Sequence, residues 1–284
     1  MNPKNPIKGA RELVHRIEIE SAVARVSTLL IKAKETDKTL DAALKILGKV
    51  VGVNRTYVFR FQNGCQKMSN THEWCSKGTE PQIENLQEID SNLIPWWMNK
   101  LRQNENIVIS DVSKLPKEAG EEKRILEAQD IRSLLVVPMN SSYGLLGFIG
   151  FDDTKKTRDW LKEDIRLLRL ASEIIVAYLE KVKSDEILRE RLKELNCLYQ
   201  ISHEMNKDLP IPELFSRVAS HLILGMHYPD LAAIKIDVDN VSYSSKLFSK
   251  RQGAGVHVKV KSSKRETGLI SAYYAKDIPF LFPY

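Results

Sequence analysis

Cysteine is scarce in this chain, and aromatic residues make up only 7% of it. The three cysteines, Cys65, Cys75 and Cys197, contain no C-x-x-C pair and are too few for a disulfide framework. They read as free thiols in a reducing compartment. No apolar run approaches the roughly 20 residues that span a bilayer. The first sixteen positions, MNPKNPIKGARELVHR, have no apolar h-region and no small-residue cleavage site. These absences predict a cytoplasmic chain with no membrane span in it. Low-complexity, collagen-like and glycine-serine tracts are also missing. Acid is absent from one stretch, residues 246–265, which holds Lys246, Lys250, Arg251, Lys259, Lys261, Lys264 and Arg265. With a net charge of +6 for the whole chain, the rest is close to neutral. The basic segment has a single aromatic, Phe248, and not the aromatic interleaving a single-strand platform uses, so it reads as the solvated face of a hairpin and nucleic acid is not an expected partner.

What remains is an ordinary globular mixture, 43% apolar and 28% charged over 284 residues. That length predicts two domains. Residues 12–34 carry apolar positions at helical spacing, and a second helix follows, with Asp37 or Thr39 as its cap and Leu40, Ala43, Leu44 and Leu47 on one face. Gly48 and Gly52 read as loosening its end. At Tyr57 the period changes to 2, and Asn63-Gly64 marks a hairpin. Pro95 opens a short helix, PWWMNKLRQNE. A short strand at Asn106–Ile109, a helix near 118–128 and a hairpin of Leu134–Val137 with Leu145–Phe151 come next. Residues 160–206 read as helix almost without a break. Leu161, Ile165, Leu168, Ser172, Ile175, Leu179 and Val182 keep a 4-3 spacing, and Leu188, Leu192, Leu195, Tyr199 and Ser202 resume it one residue out of register. Two readings stand here, amphipathic helices packed on their own sheets or a parallel dimeric signalling helix. A further helix and three strands follow before the chain stops at DIPFLFPY. The pattern is α+β with antiparallel sheets.

The stretches THEWCSKGTEPQIENLQEI, PWWMNKLRQNENIVISDVSKLPKEA and, above all, IRSLLVVPM followed by GLLGFIGFDD resemble the GAF family of sensory domains over residues 20–183. The likeness is to GAF domains upstream of histidine kinases, diguanylate cyclases and related output modules. It implies a central antiparallel sheet with the terminal helices on one face and a small-molecule pocket on the other. Residues 184–284 resemble a second, shorter GAF-like module, here expected to be incomplete at its C-terminus. The implied organisation is a GAF sensory domain at 1–183, a linking helix and a GAF-like domain at 184–284. The implied function is signal transduction, in which small-molecule or partner sensing is relayed through a homodimer of the 160–206 helix to an output domain such as a histidine kinase. A ligand-free dimerisation or scaffold module and a haem or redox sensor are the alternatives.

Tyr57, Phe61, Trp74, Trp96 and Trp97 are candidates for the walls of an apolar, aromatic pocket; they also suit a plain core. His72 and Cys75 are candidate redox or haem ligands, against a reading of H-E-W-C as a structural strand. The sequence requires no cofactor and offers no metal site. The family's best-defined chemistries need motifs that are missing: D-x-C-F or P-x-C-H for bilins, an Asn-Lys-Phe-Asp-Glu set for cyclic nucleotides, and three convergent cysteines for methionine-sulfoxide reduction. Ser202-His203-Glu204 matches the start of a kinase phospho-acceptor segment, but no D-x-G-x-G follows, so no catalytic residue is assigned. The acid pairs Asp152-Asp153 and Glu163-Asp164 read as capping and solvation.

Overall fold

Apolar residues three and four apart build the first two helices, α1 (Pro6–Ile31) and α2 (Thr36–Val51). Ile19, Ala22, Val26 and Leu30 of α1 and Leu40, Ala43, Leu44 and Leu47 of α2 are buried. The computed structural model describes residues 6–33, 35–238, 241–250, 252–262 and 265–276. The start of α2 differs from expectation: it lies at Thr36, its N-cap Glu35 makes no side-chain cap bond, and Asp37 sits in the first turn. Gly52 closes the helix with φ +70°, its N–H bonded to the Gly48 carbonyl. Gly48 does not loosen the end. It is buried, and a Cβ there would run into the Trp74 ring.

Eight elements follow: β1 (Arg55–Gln62), β2 (Lys67–Cys75), β3 (Ile89–Asp90), α3 (Pro95–Arg102), β4 (Ile107–Ile109), α4 (Gly120–Glu127), β5 (Ser133–Ser141) and β6 (Gly144–Asp153). The strands form one antiparallel sheet in the order β3-β2-β1-β6-β5-β4. Asn63 and Gly64, at φ 50° and 64°, turn β1 into β2 as the Asn-Gly pair predicts. Leu135, Val137, Ile149 and Phe151 point to α1, α2 and the start of α5 (Lys162–Met205). Leu134, Val136 and Phe148 point the other way, towards α3 and α4. Both faces of β5 are therefore covered, which is why LLVVPM reads as a continuous apolar run rather than an alternating one.

The chain divides into two compact units, residues 1–181 and 182–284. Helix α5 is unbroken over 44 residues and runs through that boundary. Its first register is used up inside the first unit: Leu168, Ile175 and Leu179 are core, and Ser172 is buried with its hydroxyl on the Pro138 carbonyl at 2.9 Å. Its second register, Leu188, Leu192, Leu195 and Tyr199, is exposed at 57–67%.

In the second unit α6 (Ile211–Gly225) packs on a four-stranded antiparallel sheet of β7 (Ala232–Val238), β8 (Val241–Ser244), β9 (Gln252–Ser262) and β10 (Arg265–Tyr274), ordered β8-β7-β10-β9. Phe215, Val218, Ala219 and Leu222 of α6 meet Ile234 and Ile236. Glu204, at the end of α5, pairs with Lys207 at 2.7 Å and Arg217 at 3.2 Å. The acid beside His203 thus has a structural task, and His203 itself stacks on Tyr199. The basic segment runs into the β9–β10 hairpin, with Lys259 and Lys261 on exposed positions of β9. Arg251 and Lys264 lie outside the described residues.

Candidate functional site: a cavity with a buried charged cluster

On the face of the first sheet away from α1, α2 and α5 there is a cavity of about 290 Å³ between β1, β2, β6, α3 and α4. That is at the small end of ligand sites, ~300–1,000 Å³. Its walls are aromatic and aliphatic: Tyr57, Phe59, Phe148, Trp97, Met68 and Ile131. Phe59 and Phe148 stack with centroids 4.7 Å apart, and Trp97 meets Phe148 edge-on at 6.0 Å. Gly150 makes room for this packing, because a Cβ there would strike the Tyr57 ring.

Four charged side chains share the lining: Arg55, Glu73, Glu122 and Asp152. All are withdrawn from water, Arg55 to 2%, Asp152 to 1% and Glu122 to 2% exposure, and the Glu73 side chain to 2%. Arg55 sits between two carboxylates. Its Nη1 lies 3.4 Å from Asp152 Oδ2, its Nε 3.5 Å from Glu73 Oε1, and its Nη2 donates to the Glu80 carbonyl at 3.0 Å. The Tyr57 hydroxyl donates to Asp152 Oδ1 at 2.9 Å. Glu73 Oε2 accepts the backbone N–H groups of Gln82 and Ile83 at 2.7 and 3.1 Å. Glu122 reaches from α4 to the start of α3, where its Oε1 accepts the N–H groups of Trp96 and Trp97 at 2.9 and 3.2 Å. A carboxylate at a helix N-terminus is stabilised by the unpaired N–H groups there.

Burial pushes the Asp152 carboxyl up to about 7, and the nearby Glu73 adds to this; the Arg55 guanidinium and the Tyr57 hydroxyl pull the other way without cancelling it. Burial, and then the Asp152 charge, hold the Tyr57 phenol well above its ordinary value.

The expected pocket residues separate. Tyr57 and Trp97 line the cavity. Phe61 and Trp96 pack against the same apolar cluster without forming its wall, and Lys100 lies 5.2 Å above the Trp96 ring. Trp74 belongs to the opposite face, against α2. The reason is a bulge in β2: Val58 pairs with His72 and Phe59 with Asn70, leaving Thr71 as the extra residue. One extra residue reverses the alternation. Met68, Asn70 and Glu73 therefore share the cavity side, and His72 and Trp74 turn to the helices.

His72 and Cys75 do not converge. His72 Nε2 lies 3.4 Å from Asp37 Oδ1 of α2 and its Nδ1 3.0 Å from Thr71 Oγ1. The Cys75 thiol points at the Glu80 carbonyl, 3.9 Å away, and burial with help from Glu73 raises it to about 11. A thiol held so high carries little thiolate, the reactive form. Among the described residues no group of three or more His, Cys, Asp or Glu could hold a metal.

The solvation reading of the acid pairs is corrected at Asp152, which is a buried member of the cluster. Asp153 is corrected too: no helix starts beside it, and at 2% exposure its Oδ1 accepts the N–H groups of Lys155 and Lys156, both at 3.1 Å, in the turn after β6, while its Oδ2 lies 3.5 Å from Arg158 Nε. Asp164 does cap, accepting the Leu161 N–H at 3.1 Å at the start of α5, although it is buried rather than solvated. Arg55, Asn70 and Glu122 were not singled out from the sequence, and Glu73 only as part of the H-E-W-C strand. The one available signal was a charged residue at the head of the strand Arg55–Gln62, where the alternation puts it in phase with Tyr57.

Comparison with known proteins agrees with this architecture. The GAF domain family model matches residues 35–179, and the chain belongs to that family. A relative is the methanogenesis regulatory histidine kinase FilI of Methanothrix harundinacea (strain 6Ac), 30% identical over 250 residues. That match takes in 80% of this chain and 27% of the relative, so the chain spans about a quarter of the relative's length. Among solved structures, the photosensory core module of a Stigmatella aurantiaca phytochrome aligns with a TM-score of 0.59 at 15% identity, over 80% of this chain and 48% of its own. A bacteriophytochrome from R. palustris aligns with a TM-score of 0.59 at 12% identity, over 96% of this chain and 63% of its own. At such identities the likeness is one of fold. Among the described residues no helix is long and apolar enough to cross a membrane.

Proposed function

We propose that this chain is a cytoplasmic sensory segment of a signalling protein. The first unit holds a small molecule in its cavity, and α5 passes its state, within a homodimer, to an output domain such as a histidine kinase. The second unit is a shorter GAF-like module along that route. The observation that carries the reading is the cavity itself: a domain that packs the other face of its sheet to zero exposure at Val58, Leu135, Ile149 and Phe151 leaves about 290 Å³ open around four buried charges. The likeness to a regulatory histidine kinase supports the kinase output. Helix α5 supports the relay, since one half is built into the sensing unit and the other exposes Leu188, Leu192, Leu195 and Tyr199 at coiled-coil spacing. A ligand can bias such a helix only by binding its two states with different affinity.

The same exposed seam favours a second reading, a dimerisation module with no ligand. Native mass spectrometry of freshly purified protein, with an absorption spectrum on the same sample, separates the two. A dimer with a co-purified small mass is the expected result. A clean dimer without added mass moves the assignment to the scaffold, a visible band brings back the haem or redox reading, and a clean monomer removes the helix relay.

A further inference from the structure

The cavity carries a charge imbalance that its own side chains do not cancel. The charged groups of the lining are one guanidinium, Arg55, and three carboxyl groups, Glu73, Glu122 and Asp152. Arg55 is shared by Glu73 and Asp152. No cation among the described residues pairs with Glu122; its Oε1 takes two backbone N–H groups, and its Oε2 has no hydrogen-bond partner although the residue is 2% exposed. Asn70 is in the same position. Its amide nitrogen donates to Glu73 Oε1 at 3.3 Å, which leaves its Oδ1 as a buried acceptor with nothing to accept. Two donors also lack a hydrogen-bond partner, the Trp97 indole N–H and the Arg55 Nε–H, but the second stays within ion-pair distance of Glu73 Oε1, at 3.5 Å.

Burying a carboxylate away from any cation is costly, and a buried acceptor left without a donor is costly as well. A proton on Asp152 reduces the excess without removing it, because two carboxylates still face one guanidinium. An anionic ligand is disfavoured twice, by this excess and because Glu122 already occupies the N–H groups at the start of α3. The rest of the wall suits a cation with an apolar body, since the faces of Tyr57, Phe59, Phe148 and Trp97 attract positive charge as well as apolar surface.

Building on the reading that this cavity takes a ligand, we infer that the ligand is a small organic cation, an ammonium or amidinium group on an apolar or aromatic body, whose N–H donors meet the unpaired carboxylate oxygen of Glu122 with Asn70 Oδ1 as a second acceptor.

The test is calorimetric titration of the full chain near neutral pH with six probes: benzylamine, benzyl alcohol and benzoate, and the phenethylamine, phenethyl alcohol and phenylacetate series one methylene longer. The amine of at least one series is expected to bind about tenfold or more tightly than its alcohol, as a charge-assisted hydrogen bond in a dry site allows, and its carboxylate not measurably. Glu122→Gln keeps an oxygen for the Trp96 and Trp97 N–H groups and is expected to remove that preference. Should this variant not fold, the order of the probes on the unaltered chain decides by itself. An alcohol that binds as tightly as its amine, or a carboxylate that binds best, overturns the cation while leaving a ligand-binding cavity in place. Binding of none of the six at millimolar concentration also overturns it, and the mass co-purified with the protein then tells separately whether the cavity takes any ligand.

Discussion

On the helix side of the six-stranded sheet, Val58, Leu135, Val137, Ile149 and Phe151 meet α1, α2 and α5 with no exposure left. On the other side the alternate residues Tyr57, Phe59 and Phe148 help enclose a cavity that also holds Arg55, Glu73, Glu122 and Asp152. The sheet can carry the second face because the first supplies the apolar burial. Buried charges contribute little net stability even when paired, and removing one partner costs more than the pair contributes. The comparison also divides α5, whose first half serves the dry face and whose second half leaves its apolar positions to solvent.

The sharpest break of this contrast is in the dry face. Phe151→Ala removes a ring that is 0% exposed and stacked on Trp160 at 6.3 Å, and is expected to cost about 3–5 kcal/mol in urea unfolding. A loss under about 1 kcal/mol would mean that this face is not the main store of stability. Arg55→Met on the cavity face leaves two carboxyl groups without their cation, and about 3–5 kcal/mol is again expected. Here the cost should shrink when Asp152→Asn is added, whereas independent sites would simply sum.

The third expectation concerns pH. Asp152 titrates near 7 in the folded chain against 3.8 for the ordinary carboxyl. Between those values the folded state holds a proton that the unfolded state has released, so its contribution to stability falls as pH rises from about 4 to about 7 and is level above that. The effect is on the order of a few kcal/mol at most. Unfolding midpoints at acid and neutral pH, compared between the unaltered chain and Asp152→Asn, isolate it from other acids; a steeper loss in the variant would contradict the assignment. The smallest effect is expected on α5, where Leu192→Ala should change unfolding of the first unit by no more than about 0.5 kcal/mol, yet weaken any dimer seen by sedimentation. Equal dimerisation in the variant would show that the exposed seam is not the contact.

Much of the scaffold could be read from residues close together in the chain. The Asn63-Gly64 turn, the Pro95 helix start, the two-faced apolar run of β5 and the unbroken course of α5 each rest on the identity of neighbours a few positions apart. The pocket was legible only in part. Tyr57 and Trp97 were found because aromatic residues in phase with a strand or helix face announce themselves. Trp74 was misplaced because period-2 reasoning has no means of seeing the extra residue at Thr71. Gly48, read as a weak helix end, proved to be the space under the Trp74 ring.

The sequence by itself determined the α+β class, the order of the elements and the apolar faces, since backbone periodicity and burial are set by residues two to four apart. Only the tertiary structure decided that Asp152 is buried rather than solvated, that the first half of α5 belongs to a core and the second does not, and that Arg55, Glu73, Glu122 and Asp152 share one cavity. Those four come from β1, β2, α4 and β6. Apart from the phase of Arg55 with Tyr57 along β1, the local sequence around them does not set them off from ordinary surface charges; what makes them a site is the water that the packed elements exclude, and exclusion is a property of the assembled fold.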